Sequence, residues 1–195
     1  MIRHERPAGG GADAVAGRPE GRVAPAAGSA LMLADVAEVG AEHVAHLAER
    51  ALLGAVLAMP HDARDALRRV EVSDLADPQH RALWAALQSL AGRGLDPDPA
   101  LVVPELLALG LLTRDRAGLV NVQVADLLGA CPVPAIWPAY AAAVLREAAR
   151  RVVVEAATRA VQAADGPDLA TVVRVLADGL AAAERAVARA VGGDQ

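Results

Sequence analysis

The sequence predicts an all-α protein, a small orthogonal helical bundle followed by a long antiparallel helical hairpin. Three observations carry this expectation. Helix-start signals recur, as in "DPQHRALWAAL" and "DPDPALVVPELLALG", where an aspartate and a proline precede an apolar run. Apolar residues follow the spacing of one helical face. The apolar residues are also small: hydrophobic residues make up 54% of the chain but aromatics only 2%, so burial rests on closely approached Ala and Val side chains, which suits helix against helix.

Residues 1 to 34 are rich in Gly, Ala and Pro without apolar periodicity, so a disordered tail is expected there. A globular bundle is expected over 35 to 132, a hairpin arm over 133 to 192, and a short tail over 193 to 195. From about Asp35 the pattern turns helical. "EHVAHLAERALLGAVLAMP" reads as a helix that turns Val44, Leu47, Leu52, Val56 and Leu57 inward and stops at Pro60, with Gly54 allowing a close helix approach. A second helix is expected from about His61 to Val70. The third has Asp77 as N-cap and Pro78 at the first helical position, and ends at Gly92 or Gly94. The fourth repeats the signal with Asp98 and Pro99, and Gly110 supplies the left-handed residue after its last turn. Pro104 should remove one backbone hydrogen bond and kink that helix, unless regular helix begins only there. A short helix is expected around Val122 to Leu128.

After "CPVP" two long Ala-rich and Val-rich segments, about 135 to 164 and 168 to 191, flank "DGPD". So short a turn predicts antiparallel helices. In the second, Leu169, Val173, Leu176, Leu180, Ala183, Val187 and Ala190 recur at the 3.5-residue period of a coiled-coil seam. The first offers Ala142, Leu145, Ala149, Val152, Ala156, Ala160 and Ala163. It also carries Val154, Ala157 and Val161 on an adjacent face, an apolar arc wider than one partner helix covers.

Composition narrows the function classes. At 195 residues the chain suffices for one domain, or a core with an appended arm. Net charge is -5, which argues against a long phosphate-binding track. All 19 basic residues are Arg, so lysine chemistry, including the phosphate-loop lysine, is excluded. Cys131 has no partner for an internal disulfide, which suits a reducing cytoplasm. The opening segment lacks the apolar core of a signal peptide and no apolar run reaches membrane-span length, so the sequence reads as soluble and cytoplasmic.

No catalytic residue, metal site or cofactor is expected. His80 shares a helix face with Leu83 and Trp84 at the core rim, and it is expected to hydrogen-bond a neighbouring backbone group and pack on Trp84. His43 and His46, with Glu42 and Glu49, could offer metal ligands, but HxxH without a convincing third ligand reads as a solvated face. Asp96 and Asp98 both precede proline, and capping explains Asp98. Arg146, Arg150, Arg151 and Arg159 form a candidate partner or phosphate surface. Residues 135 to 191, however, hold seven Arg against six acidic residues, as expected of a salt-bridged helix surface.

The ordered blocks resemble the N-terminal domain of the bacterial replicative DNA helicase DnaB. "LAERALLGAVL" is similar to that family's E-x-x-x-L-G pattern through Glu49, Leu53 and Gly54. "VSDLADPQHRALWAALQSL" resembles its D-F-x-D-x-x-H-x-x-I-F block through Asp74, Asp77, His80, Leu83 and Trp84, with Leu75 in place of phenylalanine. The stretch from Asp98 to Gly110 resembles its D-P-V-T-x-A-E-E-L helix, from which Pro104 departs. Ile136, Tyr140, Val144, Arg146 and Glu147 resemble its N-I-x-x-Y-A-x-x-V-R-E block. The likeness covers roughly residues 41 to 190, and it makes Gly54, Asp77, His80, Trp84 and Asp98 structural signature positions.

The resemblance implies a collar domain whose hairpins pair and which receives primase, without the motor domain expected after residue 190. The leading expectation is therefore a replication assembly module that forms a homo-oligomer, a dimer or higher, and binds helicase subunits or primase. Direct DNA binding is expected to be weak or absent. The candidate dimer interface comprises Tyr140, Val144, Val154, Ala157 and Val161. The alternative is a small helical nucleic-acid-binding regulator using the surface from Arg146 to Arg159, and a small enzyme rests only on the histidines.

Overall fold

A computed structural model describes residues 27–62, 64–166 and 168–192, with side chains from His43 onward. Among the described residues there are seven α-helices and no strand: α1 Ala27–Ala58, α2 Arg64–Arg69, α3 Pro78–Gly92, α4 Pro99–Ala108, α5 Ala117–Ala130, α6 Trp137–Ala164 and α7 Leu169–Val191. Short 3-10 turns at Val72–Asp74, Arg114–Arg116 and Pro134–Ile136 lead into later helices. The expected tail falls on residues 1 to 26, outside the described residues, and on 27 to 34, which are helical. The helix-forming run "SALML" extends α1 upstream of the expected start.

The α3 and α4 ends follow their local chemistry. Asp77 Oδ1 accepts the Gln79 N–H at 2.7 Å, and Asp98 Oδ1 accepts the Ala100 N–H at 2.7 Å. Both aspartates precede a proline at the first helical position, where its missing N–H costs nothing. At the far ends Gly94 and Gly110 take φ values of 78° and 68°. Each closes a Schellman motif, the Leu95 N–H donating to Leu90 O at 3.0 Å and the Leu111 N–H to Leu106 O at 2.9 Å. Helix α4 runs through Pro104, so regular helix does not wait for that residue. Helix α5 is longer at both ends than expected.

The bundle core joins Leu52, Leu53, Val56 and Leu57 of α1 to Leu83, Trp84 and Leu87 of α3. Val102 and Leu106 of α4, Val124 and Leu127 of α5, and Val144 and Leu145 of α6 complete it. Trp84 is fully buried and donates its indole N–H to Val70 O at 2.9 Å. Val44 and Leu47, expected inward, are exposed, because the bundle closes over α1 only from Glu49 on, apart from Ala45. The α5 segment and α6 meet at 87°, the orthogonal element of the bundle. Among the described residues no single helix is long and apolar enough to cross a membrane.

The hairpin seam departs from expectation on one side. On α6, Leu145, Ala149, Ala156 and Ala160 are buried as the pattern indicated. On α7 the buried residues are Gly179, Ala183, Ala186 and Ala190, whereas Leu169, Val173, Leu176, Leu180 and Val187 are exposed. The cause is steric. An alanine stripe on α6 gains most contact by drawing in the smallest stripe of α7, and the adjacent large residues are then left outside.

Candidate functional site

Two features stand apart from ordinary core. The first is a polar cluster where α1 meets the start of α3. His80 Nδ1 lies 2.8 Å from Glu49 Oε2, and both side chains are 1% exposed. Glu49 also accepts the Ala76 N–H through Oε1, and the Asp77 N–H at 3.3 Å through Oε2. One carboxylate thus anchors both the chain entering α3 and the imidazole on its first turn. His46, one turn earlier on α1, stacks on His80 with ring centroids 5.0 Å apart and planes 23° apart. Its Nδ1 lies 3.6 Å from Asp77 Oδ2, the cap oxygen not used by the α3 backbone.

His80 therefore does not bond a neighbouring backbone group, as the sequence suggested. Its partner is 31 residues upstream. The HxxH reading also changes: His43 is exposed, while His46 turns toward Asp77 and His80. These residues line the wall of a groove of about 960 Å³ that also touches Arg50, Leu106, Leu111 and Gln123. No serine or cysteine lines it. Cys131 is buried elsewhere, and burial pushes its thiol pKa up, away from a reactive thiolate.

The second feature is the outer face of the hairpin. Leu176 and Leu180 of α7 and Val154 and Val161 of α6 are each about half exposed or more, Val161 reaching 71%. Ala157 is exposed beside them. Val144 leaves the candidate interface because it is 1% exposed within the bundle core, and Tyr140 is half-buried against that core.

The four arginines do not form one surface. Arg151 turns inward and donates to Asp74 O, and Arg150 pairs with Glu147 at 2.8 Å. Arg146 and Arg159 stay exposed. Sequence reasoning missed a clasp at the base of the hairpin. Arg189 of α7 grips Asp74 through two hydrogen bonds of 2.7 and 3.0 Å, while Arg69 donates to the carbonyls of Arg189 and Ala190. Its only signal was Arg189, the basic residue in the last turn of an alanine-rich helix.

An all-α bundle carrying an alanine-seamed hairpin and a buried Glu–His pair defines a small helical domain with no strand among the described residues. Residues 42–146 match the family model described as "DnaB-like helicase N terminal domain". The replicative DNA helicase DnaB of Mycobacterium leprae is 35% identical over 130 residues, covering 65% of this chain and 21% of that protein. The crystal structure of the N-terminal domain of DnaB helicase from Mycobacterium tuberculosis superposes with a TM-score of 0.61 at 32% identity, covering 69% of this chain and 95% of that one. The chain belongs to the DnaB-like helicase N-terminal domain family.

Proposed function

We propose that this chain is a replication assembly module of the cytoplasm that self-associates through the outer face of its hairpin and binds helicase subunits or primase. The observation that carries the reading is the row of exposed apolar residues on α7, Leu169, Val173, Leu176, Leu180 and Val187, continued by Val154 and Val161 of α6. Monomers rarely leave so many large apolar side chains contiguous in water. A two-fold partner, presenting the same row, buries it on both copies at once.

Family membership supports the same reading, because the Mycobacterium leprae relative, of which this chain covers 21%, is a replicative DNA helicase. Phosphate binding by the arginine surface is not favoured, since Arg151 and Arg150 are already engaged. Sedimentation across protein and salt concentrations tests the proposal. Wild type is expected to associate with little salt dependence, and Leu176→Asp or Val161→Asp to shift it to monomer, because each buries an unpaired charge. A strictly monomeric wild type, or association unmoved by both substitutions, overturns it.

A further inference from the structure

We propose that His46, Asp77 and His80 form a binding site for a zinc-class divalent cation, independent of the hairpin, with Glu49 holding His80 in the ligating tautomer. One ring nitrogen of each histidine and one carboxylate oxygen of Asp77 lie within 4.8 Å of one another. Two imidazoles and a carboxylate are the donor set that suits zinc.

The supporting shell is what separates this cluster from a chance grouping. A ligating histidine characteristically gives its other ring N–H to a carboxylate, which fixes both tautomer and ring orientation. Here His80 Nδ1 meets Glu49 at 2.8 Å, and Glu49 is itself held by the Ala76 and Asp77 N–H groups. The nitrogen left to coordinate is Nε2. Asp77 is similarly divided: Oδ1 caps α3, and Oδ2 faces His46 at 3.6 Å. Two ligands are therefore held in place by bonds that coordination does not break.

His46 is the adjustable one. Bonds of about 2.0–2.1 Å to a tetrahedral ion place ligand atoms roughly 3.3 Å apart, so the widest gap in the cluster closes by up to about 1.5 Å as metal enters. Its side chain is 44% exposed, so it can rotate out of its stack on His80 without disturbing the core. Three protein ligands leave a tetrahedral ion one position short. The groove beside the cluster supplies that position to water or to an incoming donor group. Bound metal would pin α1 to the first turn of α3.

The test is titration of the full chain with Zn²⁺ by calorimetry, and with Co²⁺ followed by visible absorption, beside thermal melts with and without metal. Wild type is expected to bind one Zn²⁺ per chain, to show the absorption of four-coordinate Co²⁺, and to melt higher with metal. His46→Ala is expected to weaken Zn²⁺ binding at least tenfold while melting normally without metal. Asp77→Asn keeps the helix cap, since asparagine caps as well as aspartate, and is also expected to weaken binding. His43→Ala is expected to change nothing. Absence of stoichiometric binding by wild type overturns the proposal. So does undiminished binding by both His46→Ala and Asp77→Asn, or loss of binding in His43→Ala, which would place the ion on the exposed face of α1.

Discussion

Gly179 of α7 lies so close to Ala156 of α6 that a methyl group added to it would sit 2.2 Å from the Ala156 Cβ. The two backbones approach to a distance that only the smallest side chains permit. Gly179→Ala should gain up to about 1 kcal/mol of helix propensity, yet forcing the helices apart should cost about 1–3 kcal/mol. The expected net result is a lower melting temperature. Gly129→Ala in α5, where the added methyl meets nothing within 4 Å, is expected to raise it. Thermal melts of the pair check the sign of each effect.

Gly54 makes the corresponding approach between α1 and α5. A Cβ there would meet Leu127 O at 2.2 Å and the Cys131 Cβ at 2.8 Å. The nearer obstacle is backbone, which cannot swing aside as a side chain can. Gly54→Ala is therefore expected to destabilise the bundle more than Gly179→Ala destabilises the hairpin, by about 2–3 kcal/mol. Denaturant unfolding monitored by the fluorescence of Trp84 and Trp137 would read it, and a midpoint equal to wild type would contradict the close approach.

Arg189→Gln should loosen the end of α7 and leave the Asp74 carboxylate with only the Glu71 N–H of its three hydrogen bonds. The expected cost is about 2 kcal/mol, below the ~3–5 kcal/mol of a fully buried pair because the Arg189 side chain is 26% exposed. Amide hydrogen exchange over 186 to 191 should accelerate. Arg189→Lys should recover only part of the protection, since an ammonium does not match a carboxylate with two parallel bonds.

Glu105 titrates below its ordinary value of 4.5, held down by the Ser89 hydroxyl and then by Arg93. A carboxylate whose folded pKa is depressed contributes stability that is fully present above its unfolded pKa and lost as pH falls through the folded one. The acid limb of the stability curve should therefore flatten in Glu105→Gln. In Ser89→Ala the Glu105 carboxyl should titrate closer to 4.5, as a carbon-detected NMR titration would show.

The parts of the fold legible in the sequence are those set by local chemistry. Asp77, Asp98, Gly94 and Gly110 bound their helices because each cap needs only residues within one turn. The hairpin was legible because "DGPD" is too short for anything but an antiparallel return. Which arc of α7 faces inward was not, because two apolar arcs lie side by side and the choice between them depends on the alanines of a different helix. The same limit hid the pairing of Glu49 with His80 and of Asp74 with Arg189, which join residues 31 and 115 positions apart. In the candidate site, the place of His80 on the first turn of α3 was legible; its surroundings were not.

An alanine seam is smooth. It sets how near two helices come, but it lacks the bulky knobs that stop one rod from sliding along another. In this hairpin, longitudinal alignment therefore falls to two points, the place on Ala156 that admits only Gly179 and the grip of Arg189 on Asp74 at the base. Even with the basal grip released, a shift of α7 by one turn, about 5.4 Å, would set Val175 or Ala183 where only Gly179 fits against Ala156. The grip and the Gly179 contact thereby hold Leu176 and Leu180 at one fixed height along the outer face.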